Sequence, residues 1–221
     1  MTRAVLLDAL GTLVELQPPG PRLRVALRGA GFEVSDEQAA AGFGAEIGYY
    51  LAHHLDGVDR DSLEHLRDRC AEELRRALGV PGLDHATARR AMLGAFEFEP
   101  YPDAIPALRS LRERGLRLVI ASNWDCSLPA WLGPVGLIEL VDGVVTSAEV
   151  GAAKPDPAVF RRALEMIGSP PEEALHVGNS LANDVEGARA AGIRAVLVVR
   201  AGEPPPDVET VRSLEEVPSL I

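Results

Sequence analysis

Residues 4–13 read AVLLDALGTL, and this stretch is the starting point for predicting the architecture of the chain. The apolar run Ala4–Leu7 is short and ends at an acidic residue, Asp8. Such a run is typical of a strand buried on both faces, as the strands of parallel sheets are. Gly11 and Thr12 follow, and both residue types favour a turn. The stretch therefore predicts a buried strand whose carboxyl end presents Asp8 on a loop.

Short apolar runs of the same kind recur after residue 96 and alternate with helical patterns. The predicted strands are Ala4–Leu7, Leu116–Ala121, Gly143–Thr146, Ala174–Val177 and Arg194–Val199, and the predicted helices are residues 102–114, 127–132, 156–167 and 182–192. Strands that alternate with helices form parallel β-α-β units. The sequence therefore predicts an α/β fold with a Rossmann-like, doubly wound parallel sheet.

An all-helical block interrupts this pattern after the first strand. Four helices are predicted there, over residues 22–29, 35–54, 61–78 and 84–95, and no strand pattern separates them. Ser35 and Gln38 have the spacing of a capping box at the start of the second helix. The proline-rich segment Gln17–Pro21 is predicted to be a linker or sharp turn. We expect residues 18–96 to be a helical cap inserted into a core of residues 1–17 and 97–221.

The net charge and the hydropathy of the chain limit the kinds of molecule that it can bind. The chain has 33 acidic and 22 basic residues and a formal net charge of −11. Such a chain is repelled by nucleic-acid backbones and by anionic membrane surfaces, so neither is expected as a partner. The apolar run at the N-terminus is too short for a signal peptide, and no stretch is long enough to span a membrane. We expect a cytoplasmic protein that binds a small, anionic molecule.

Lys154 is the single lysine among the 22 basic residues, the rest being arginines. A compact ammonium group on a flexible stem can contact a carboxylate and a phosphate at short range, and the planar guanidinium group cannot replace it there. The alternative is a surface lysine that remained by chance. The composition therefore marks Lys154 as a candidate site residue.

Polar residues follow the predicted strands at the edge where ligands bind in open parallel sheets. A carboxylate in this place can attack an electrophile and form a covalent intermediate. Backbone N–H groups of a turn and a serine hydroxyl can bind an anion, and a second carboxylate can hold a metal ion. The residues in question are Asp8, Gly11 and Thr12 after the first strand, Ser122 and Asn123 after the second, Lys154 at a helix start, and Asn179 and Asp184 after the fourth.

Taken in order, these motifs resemble those of the haloacid dehalogenase superfamily, most of whose members are phosphatases. The motifs are D-x-x-G-T-L from Asp8, Ser122-Asn123, Lys154-Pro155-Asp156 and G-N-S-x-x-N-D-x-x-G-A over residues 178–188. The helical block also resembles the cap of that superfamily. The resemblance extends over the whole chain and implies a hydrolase.

The resemblance implies a role for each matching residue. Asp8 and Lys154 are the expected catalytic residues, with Asp8 as the nucleophile that forms an aspartyl-phosphate. Thr12, Ser122 and Asn123 are expected to bind the substrate. The ligands implied for Mg²⁺ are Asp8, the backbone carbonyl of Leu10, Asn179 and Asp184.

Two positions depart from the phosphatase pattern. Leu10 stands where these phosphatases carry a second aspartate that protonates the leaving group, an effect typically worth about 10²–10⁴-fold in rate. Asn179 stands where they carry an acidic metal ligand, and hard cations prefer carboxylates. We therefore expect a slow phosphatase with a weakened Mg²⁺ site.

The departures keep three hypotheses open. The first is a Mg²⁺-dependent phosphatase that acts on a small phosphorylated metabolite. The second is a metal-independent 2-haloacid dehalogenase-like hydrolase, for which Arg22 and Arg24 are candidate binders of the substrate carboxylate. The third is a non-catalytic descendant that binds a ligand or partner in the same cleft.

Overall fold

A computed structural model describes residues 2–221 and shows eight strands and nine α-helices in that part of the chain. The strands are β1 (Ala4–Leu7), β2 (Val14–Leu16), β3 (Phe98–Pro100), β4 (Arg117–Ser122), β5 (Gly143–Thr146), β6 (Ala174–Gly178), β7 (Arg194–Val198) and β8 (Thr210–Val211). The helices are α1 (Pro19–Gly29), α2 (Asp36–His53), α3 (Arg60–Leu78), α4 (His85–Ala95), α5 (Ala104–Glu113), α6 (Leu128–Leu132), α7 (Ser147–Val150), α8 (Ala158–Ile167) and α9 (Gly187–Ala190).

The main sheet has six strands in the order β5-β4-β1-β6-β7-β8, and every pair in it is parallel. Both faces of its central strands are buried, which explains why the strand sequences are continuously apolar. Side chains from alternate positions, such as Ala4 and Leu6 of β1, pack with Phe160 of α8 in one apolar cluster. The predicted α/β, Rossmann-like fold is confirmed.

The chain forms two compact units. The first runs up to Glu15 and resumes from Glu99 to Ile221, and the second is Leu16–Phe98. The strands β2 and β3 form a separate two-stranded sheet at the points where the chain passes from one unit to the other. The predicted core begins at residue 1, which lies outside the described residues. That the second unit acts as a cap stays a prediction.

The second unit is a helical bundle of α1 to α4 with its own apolar core. The capping box expected at the start of α2 is present, because the Ser35 side chain accepts from the Gln38 backbone and the Gln38 side chain accepts from the Ser35 backbone. Helix α3 is followed by Gly79, whose φ of 61° is the left-handed conformation common just after helix ends.

The linker predicted over Gln17–Pro21 is wrong in part, because α1 already begins at Pro19. Pro19 and Pro21 lie in the first turn, where a helix has no intrahelical acceptors for its backbone N–H groups. Proline therefore does not interrupt hydrogen bonding there, and its fixed φ suits the helix. The local pattern of prolines marked a helix start instead of a linker.

The helix predicted over residues 182–192 is also irregular. Leu181–Glu186 forms a π-helical turn, and only Gly187–Ala190 is α-helical. The carbonyl of Ser180 accepts from the backbone N–H groups of both Asp184 (2.9 Å) and Val185 (3.2 Å). Such π turns are often found at functional sites, and this one carries Asp184.

Candidate active site

The predicted site residues meet at the carboxyl edge of the main sheet. Strands β4, β1 and β6 are neighbours, so the residues that follow them lie side by side. Asp8 follows β1, Ser122 ends β4, and Asn179 follows β6. All of them belong to the first unit. This edge is where parallel sheets bind ligands.

Lys154 lies at the centre of the cluster and is 4% exposed. Its Nζ donates to Asp8 Oδ1 at 2.7 Å, to Asp184 Oδ1 at 2.6 Å and to the carbonyl of Ala121 at 3.0 Å. All three N–H bonds of the ammonium group therefore have acceptors. Burial works against the charge, but the two carboxylates raise the pKa of Lys154 above its ordinary value.

The carboxylate of Asp8 is held from several sides. Oδ1 accepts from Lys154 and from the Ser122 hydroxyl at 3.0 Å. Oδ2 has the Thr12 hydroxyl at 3.3 Å, a weaker contact. Burial raises the pKa of Asp8, Lys154 opposes this effect, and the nearby charge of Asp184 adds to it. One ammonium group is thus shared by two carboxylates.

Asn123, a predicted substrate-binding residue, lies against the backbone of Lys154. Its Oδ1 accepts from the Lys154 N–H at 2.7 Å, and its Nδ2 donates to the Lys154 carbonyl at 2.9 Å. The amide group thereby fixes the backbone from which the ammonium group extends. Substrate binding by Asn123 stays a prediction.

Asp184 is 1% exposed and accepts three hydrogen bonds. Oδ1 accepts from Lys154 and from His176 Nε2 at 3.1 Å, and Oδ2 accepts from the Ser180 backbone N–H at 2.9 Å. Burial alone would favour the neutral acid, but Lys154 and His176 hold the pKa of Asp184 below its usual range. Gly178 lies directly beneath, and any Cβ at that position would overlap the carboxyl group of Asp184.

Sequence reasoning did not identify His176 as a site residue. The only signal was a polar residue in the otherwise apolar strand β6, and that pattern also fits an ordinary core histidine. Its contact with Asp184 depends on the π turn, which the sequence pattern did not predict.

The hydrogen bonding in the loop after β1 differs from what the sequence predicted. Gly11 and Thr12 were expected to offer backbone N–H groups to an anion, but the N–H of Gly11 donates to Val14 O and that of Thr12 donates to Ala9 O. The turn is so tight that it satisfies these donors internally. Gly11 has a φ of 82°, and a Cβ there would overlap the amide group of Asn179, so both conformation and space require glycine.

The predicted Mg²⁺ ligands offer only oxygen atoms. In residues 2–221, no three His, Cys, Asp or Glu side chains are grouped in a way that could hold a metal ion. However, Asp8 and Asp184 both contact Lys154, and each carboxylate oxygen can accept more than one contact. Mg²⁺ is commonly held by one or two carboxylates together with water or phosphate oxygens. Oxygen donors of this kind are the type that Mg²⁺ prefers, with fewer negative charges than a three-carboxylate site; that they bind the ion stays a prediction.

Comparison with known proteins identifies the family. A model of the haloacid dehalogenase-like hydrolase family matches residues 2–192. The chain therefore belongs to this family of enzymes, and the resemblance indicated by its motifs is confirmed. In the part of the chain that the structure describes, no helix is both long and apolar enough to cross a membrane.

Two curated relatives illustrate the similarity. Over 137 residues the chain is 41% identical to haloacid dehalogenase-like hydrolase domain-containing protein 3 of Mus musculus, which covers 60% of this chain and 54% of that protein. Over 135 residues it is 40% identical to phosphoserine phosphatase of Thermus thermophilus, again covering 60% of this chain and 54% of that protein. The chain thus matches about half the length of these relatives.

Solved structures of both chemical types share the fold over almost the whole chain. A haloacid dehalogenase-type phosphatase from Thermococcus onnurineus is 27% identical, with a TM-score of 0.67 and coverage of 100% of this chain and 97% of that one. An L-2-haloacid dehalogenase is 26% identical, with a TM-score of 0.67 and coverage of 99% and 98%. The fold by itself is therefore compatible with either reaction.

Proposed function

We propose that the protein is a Mg²⁺-assisted phosphatase for a small phosphorylated metabolite, with Asp8 as its nucleophile. The observation that carries this proposal is the arrangement around the Asp8 carboxylate. Lys154 and Ser122 fix Oδ1, while Oδ2 has only the long Thr12 contact among the described residues. One oxygen is oriented and the other is left for attack, which is the arrangement that a positioned nucleophile requires.

The reaction follows from these contacts in two steps. Asp8 Oδ2 attacks phosphorus, the bond from phosphorus to the leaving oxygen breaks, and that oxygen departs with the electron pair and takes a proton from water. Lys154 and the hydroxyl of Ser122 lie where they can offset the charge of the transferred phosphoryl group. A water molecule then attacks phosphorus and gives up a proton to solvent, the bond between phosphorus and Asp8 Oδ2 breaks, and phosphate leaves while the carboxylate of Asp8 is restored.

Charge counting supports the need for a cation. Asp8, Asp184 and Lys154 together carry about −1, which repels a phosphate dianion. The carboxylates of Asp8 and Asp184, the Leu10 carbonyl and the Asn179 amide would hold Mg²⁺. When bound, the ion would bring the total to about +1 and polarise the phosphoryl oxygens.

Leu10 limits the range of good substrates. Its side chain is 44% exposed and has no group that can transfer a proton. A leaving group that must be protonated as it departs receives no help from this position, whereas an activated aryl leaving group needs little. We expect turnover to be fastest with activated phosphate esters.

The test is hydrolysis of an aryl phosphate with and without Mg²⁺ by the protein and by Asp8→Asn. We expect Mg²⁺-dependent turnover that Asp8→Asn abolishes, with Asp61→Asn, an exposed acid of α3, as a control that keeps full activity. Absence of turnover at high Mg²⁺ would contradict the proposal. It would leave the dehalogenase or the non-catalytic function.

The second candidate function, a metal-independent dehalogenase, is favoured by Leu10 and Asn179, which remove acids that a phosphatase uses. Against it, both arginines considered for binding the substrate carboxylate are paired with acids of the second unit. Arg22 contacts Glu97, and Arg24 contacts Asp36 and the Val34 carbonyl. Chloride release from 2-chloropropionate without Mg²⁺ would establish this function, and no release would exclude it for that substrate.

A further inference from the structure

His176 is fully buried in the apolar core of the first unit. It lies on β6, opposite Leu6 of β1 and Ala195 of β7. The ring of Phe160 contacts it edge-on, with centroids 4.9 Å apart and an interplanar angle of 86°. Leucine or valine would suit such a position better, because burial of a polar ring is unfavourable unless its nitrogens are bonded.

The hydrogen bonding of His176 is incomplete and one-sided. Nε2 lies 3.1 Å from Asp184 Oδ1, while Nδ1 is buried and has no partner among the described residues. An ionised carboxylate only accepts hydrogen bonds, so Nε2 must carry a proton. A neutral ring then leaves Nδ1 as a bare acceptor. Neither packing nor the bonding of both ring nitrogens explains a histidine at this position. The hydrogen bond from Nε2 to Asp184 does.

The contact matters because Asp184 competes with Asp8 for Lys154. Asp184 Oδ1 accepts from both Lys154 and His176, while Asp8 Oδ1 accepts from the same ammonium group. The Nε2–H of His176 supplies one of the hydrogen bonds that the Asp184 carboxylate accepts, and it fixes the orientation of that carboxylate. Without it, Lys154 would be the only donor to that oxygen and would be drawn away from Asp8.

We propose that His176 is a positioning residue, which holds Asp184 through Nε2–H and so keeps Lys154 shared with the nucleophile. The effect of His176 on turnover rests on the proposed function, whereas its protonated nitrogen and its hold on Asp184 do not. The residue does not touch substrate; it acts through Asp184 and Lys154.

Two substitutions separate positioning from packing. His176→Leu keeps an apolar side chain in the core but removes the donor, and His176→Gln keeps an N–H that can reach a similar place. Loss of a hydrogen bond to a charged group corresponds to about 10- to 100-fold. We expect His176→Leu to lower kcat for an aryl phosphate by that factor with little change in KM, and His176→Gln to recover most of it.

Stability is expected to move differently from activity. His176→Leu removes a buried nitrogen without a partner, which favours folding, but it also removes a donor to a buried carboxylate, which opposes folding, so its urea midpoint should change little. His65→Leu, an exposed histidine on α3, is the matched control and should leave both kcat and the urea midpoint unchanged. Mg²⁺ binding measured by calorimetry should weaken in His176→Leu and recover in His176→Gln.

Nitrogen-15 NMR tests the inference without turnover. The ring signals of His176 should show a proton on Nε2, and Asp184→Asn should shift them. A proton on Nδ1 alone would overturn the inference, as would wild-type kcat and Mg²⁺ affinity in His176→Leu. If the protein hydrolyses no phosphate ester, the proposed function fails, and the NMR and calorimetry results still decide the role of His176.

Discussion

Two buried carboxyl groups, one in each unit, behave in opposite ways. Asp184 in the first unit and Glu46 on α2 in the second are 1% and 4% exposed. Asp184 accepts from a lysine, a histidine and a backbone N–H, and its pKa lies below the usual range. For Glu46, burial raises the pKa from 4.5 to about 7, and a hydrogen bond with Cys70 opposes this without reversing it.

The difference shows that burial alone does not decide the charge of an acid. Removal from water favours the neutral form in both places. Of these two acids, only at Asp184 do a cation and aligned donors outweigh that effect, and there the charge serves the proposed chemistry. The four predictions that follow test this contrast in order of expected effect.

The largest effect is expected when Lys154, the buried cation of the first unit, is replaced by a neutral residue. Lys154→Met leaves Asp8 and Asp184 buried without their shared counter-charge, which typically costs about 3–5 kcal/mol. The free energy of unfolding at pH 7, measured with urea, should fall by that amount. The double variant Lys154→Met/Asp184→Asn should recover part of the loss, because one uncompensated charge is gone. A loss below about 1 kcal/mol in Lys154→Met would show that the cluster does not depend on Lys154 for its stability.

In the second unit, removing the negative charge of Glu46 should stabilise the protein. Glu46 binds a proton in the folded state between pH 4.5 and about 7, where the unfolded chain does not. Its contribution is therefore fully present below pH 4.5 and is lost as the pH rises to about 7. At about 1.4 kcal/mol per pKa unit, the loss amounts to about 3 kcal/mol.

Glu46→Gln should lack this loss. We expect its free energy of unfolding to exceed that of the protein by up to about 3 kcal/mol at pH 8, and the difference to shrink towards zero near pH 4. Glu113→Gln, an exposed carboxyl on α5, is the control and should show no such pH dependence. A difference that does not vary with pH would contradict the raised pKa.

A smaller effect is expected from crowding Asp184. In Gly178→Ala the added methyl group would overlap the carboxyl group of Asp184, which must move. Overpacking of this kind typically costs about 1–3 kcal/mol, and it should also reduce aryl phosphate turnover. Thermal unfolding and kcat measured on the same preparation check both effects. An unchanged Tm with unchanged kcat would show that the carboxylate tolerates displacement.

The smallest effect has the opposite sign and lies in the second unit. Nothing lies within 4 Å of a Cβ added at Gly44 in α2. Alanine is more favourable than glycine in a helix interior by about 0.5–1 kcal/mol. Gly44→Ala should therefore raise the free energy of unfolding by about that amount, in contrast to Gly178→Ala. Destabilisation by Gly44→Ala would show that this face of α2 is more constrained than the open space around Gly44 indicates.

Much of the fold was predictable because parallel strands impose a strong local pattern. Short apolar runs separated by helices predicted the sheet, and the residues after each run were expected at one edge. The structure brings Asp8, Ser122, Lys154 and Asp184 together there. One error falls where a residue type has two uses: Pro19 and Pro21 fit the pattern of a linker, but they start a helix.

The sequence by itself determined five of the six strands of the main sheet, which polar residues follow them, and which family the motifs resemble; the short edge strand β8 was not predicted. Only the tertiary structure decided the partners: Lys154 is shared between two carboxylates, Asn123 bonds to the Lys154 backbone, and His176 bonds to Asp184. Periodicity places a residue on a face of its own element, whereas these contacts join elements distant in the chain; Asp8 and Lys154, for example, are 146 positions apart. Their distances and charges exist only after the sheet and the π turn have formed.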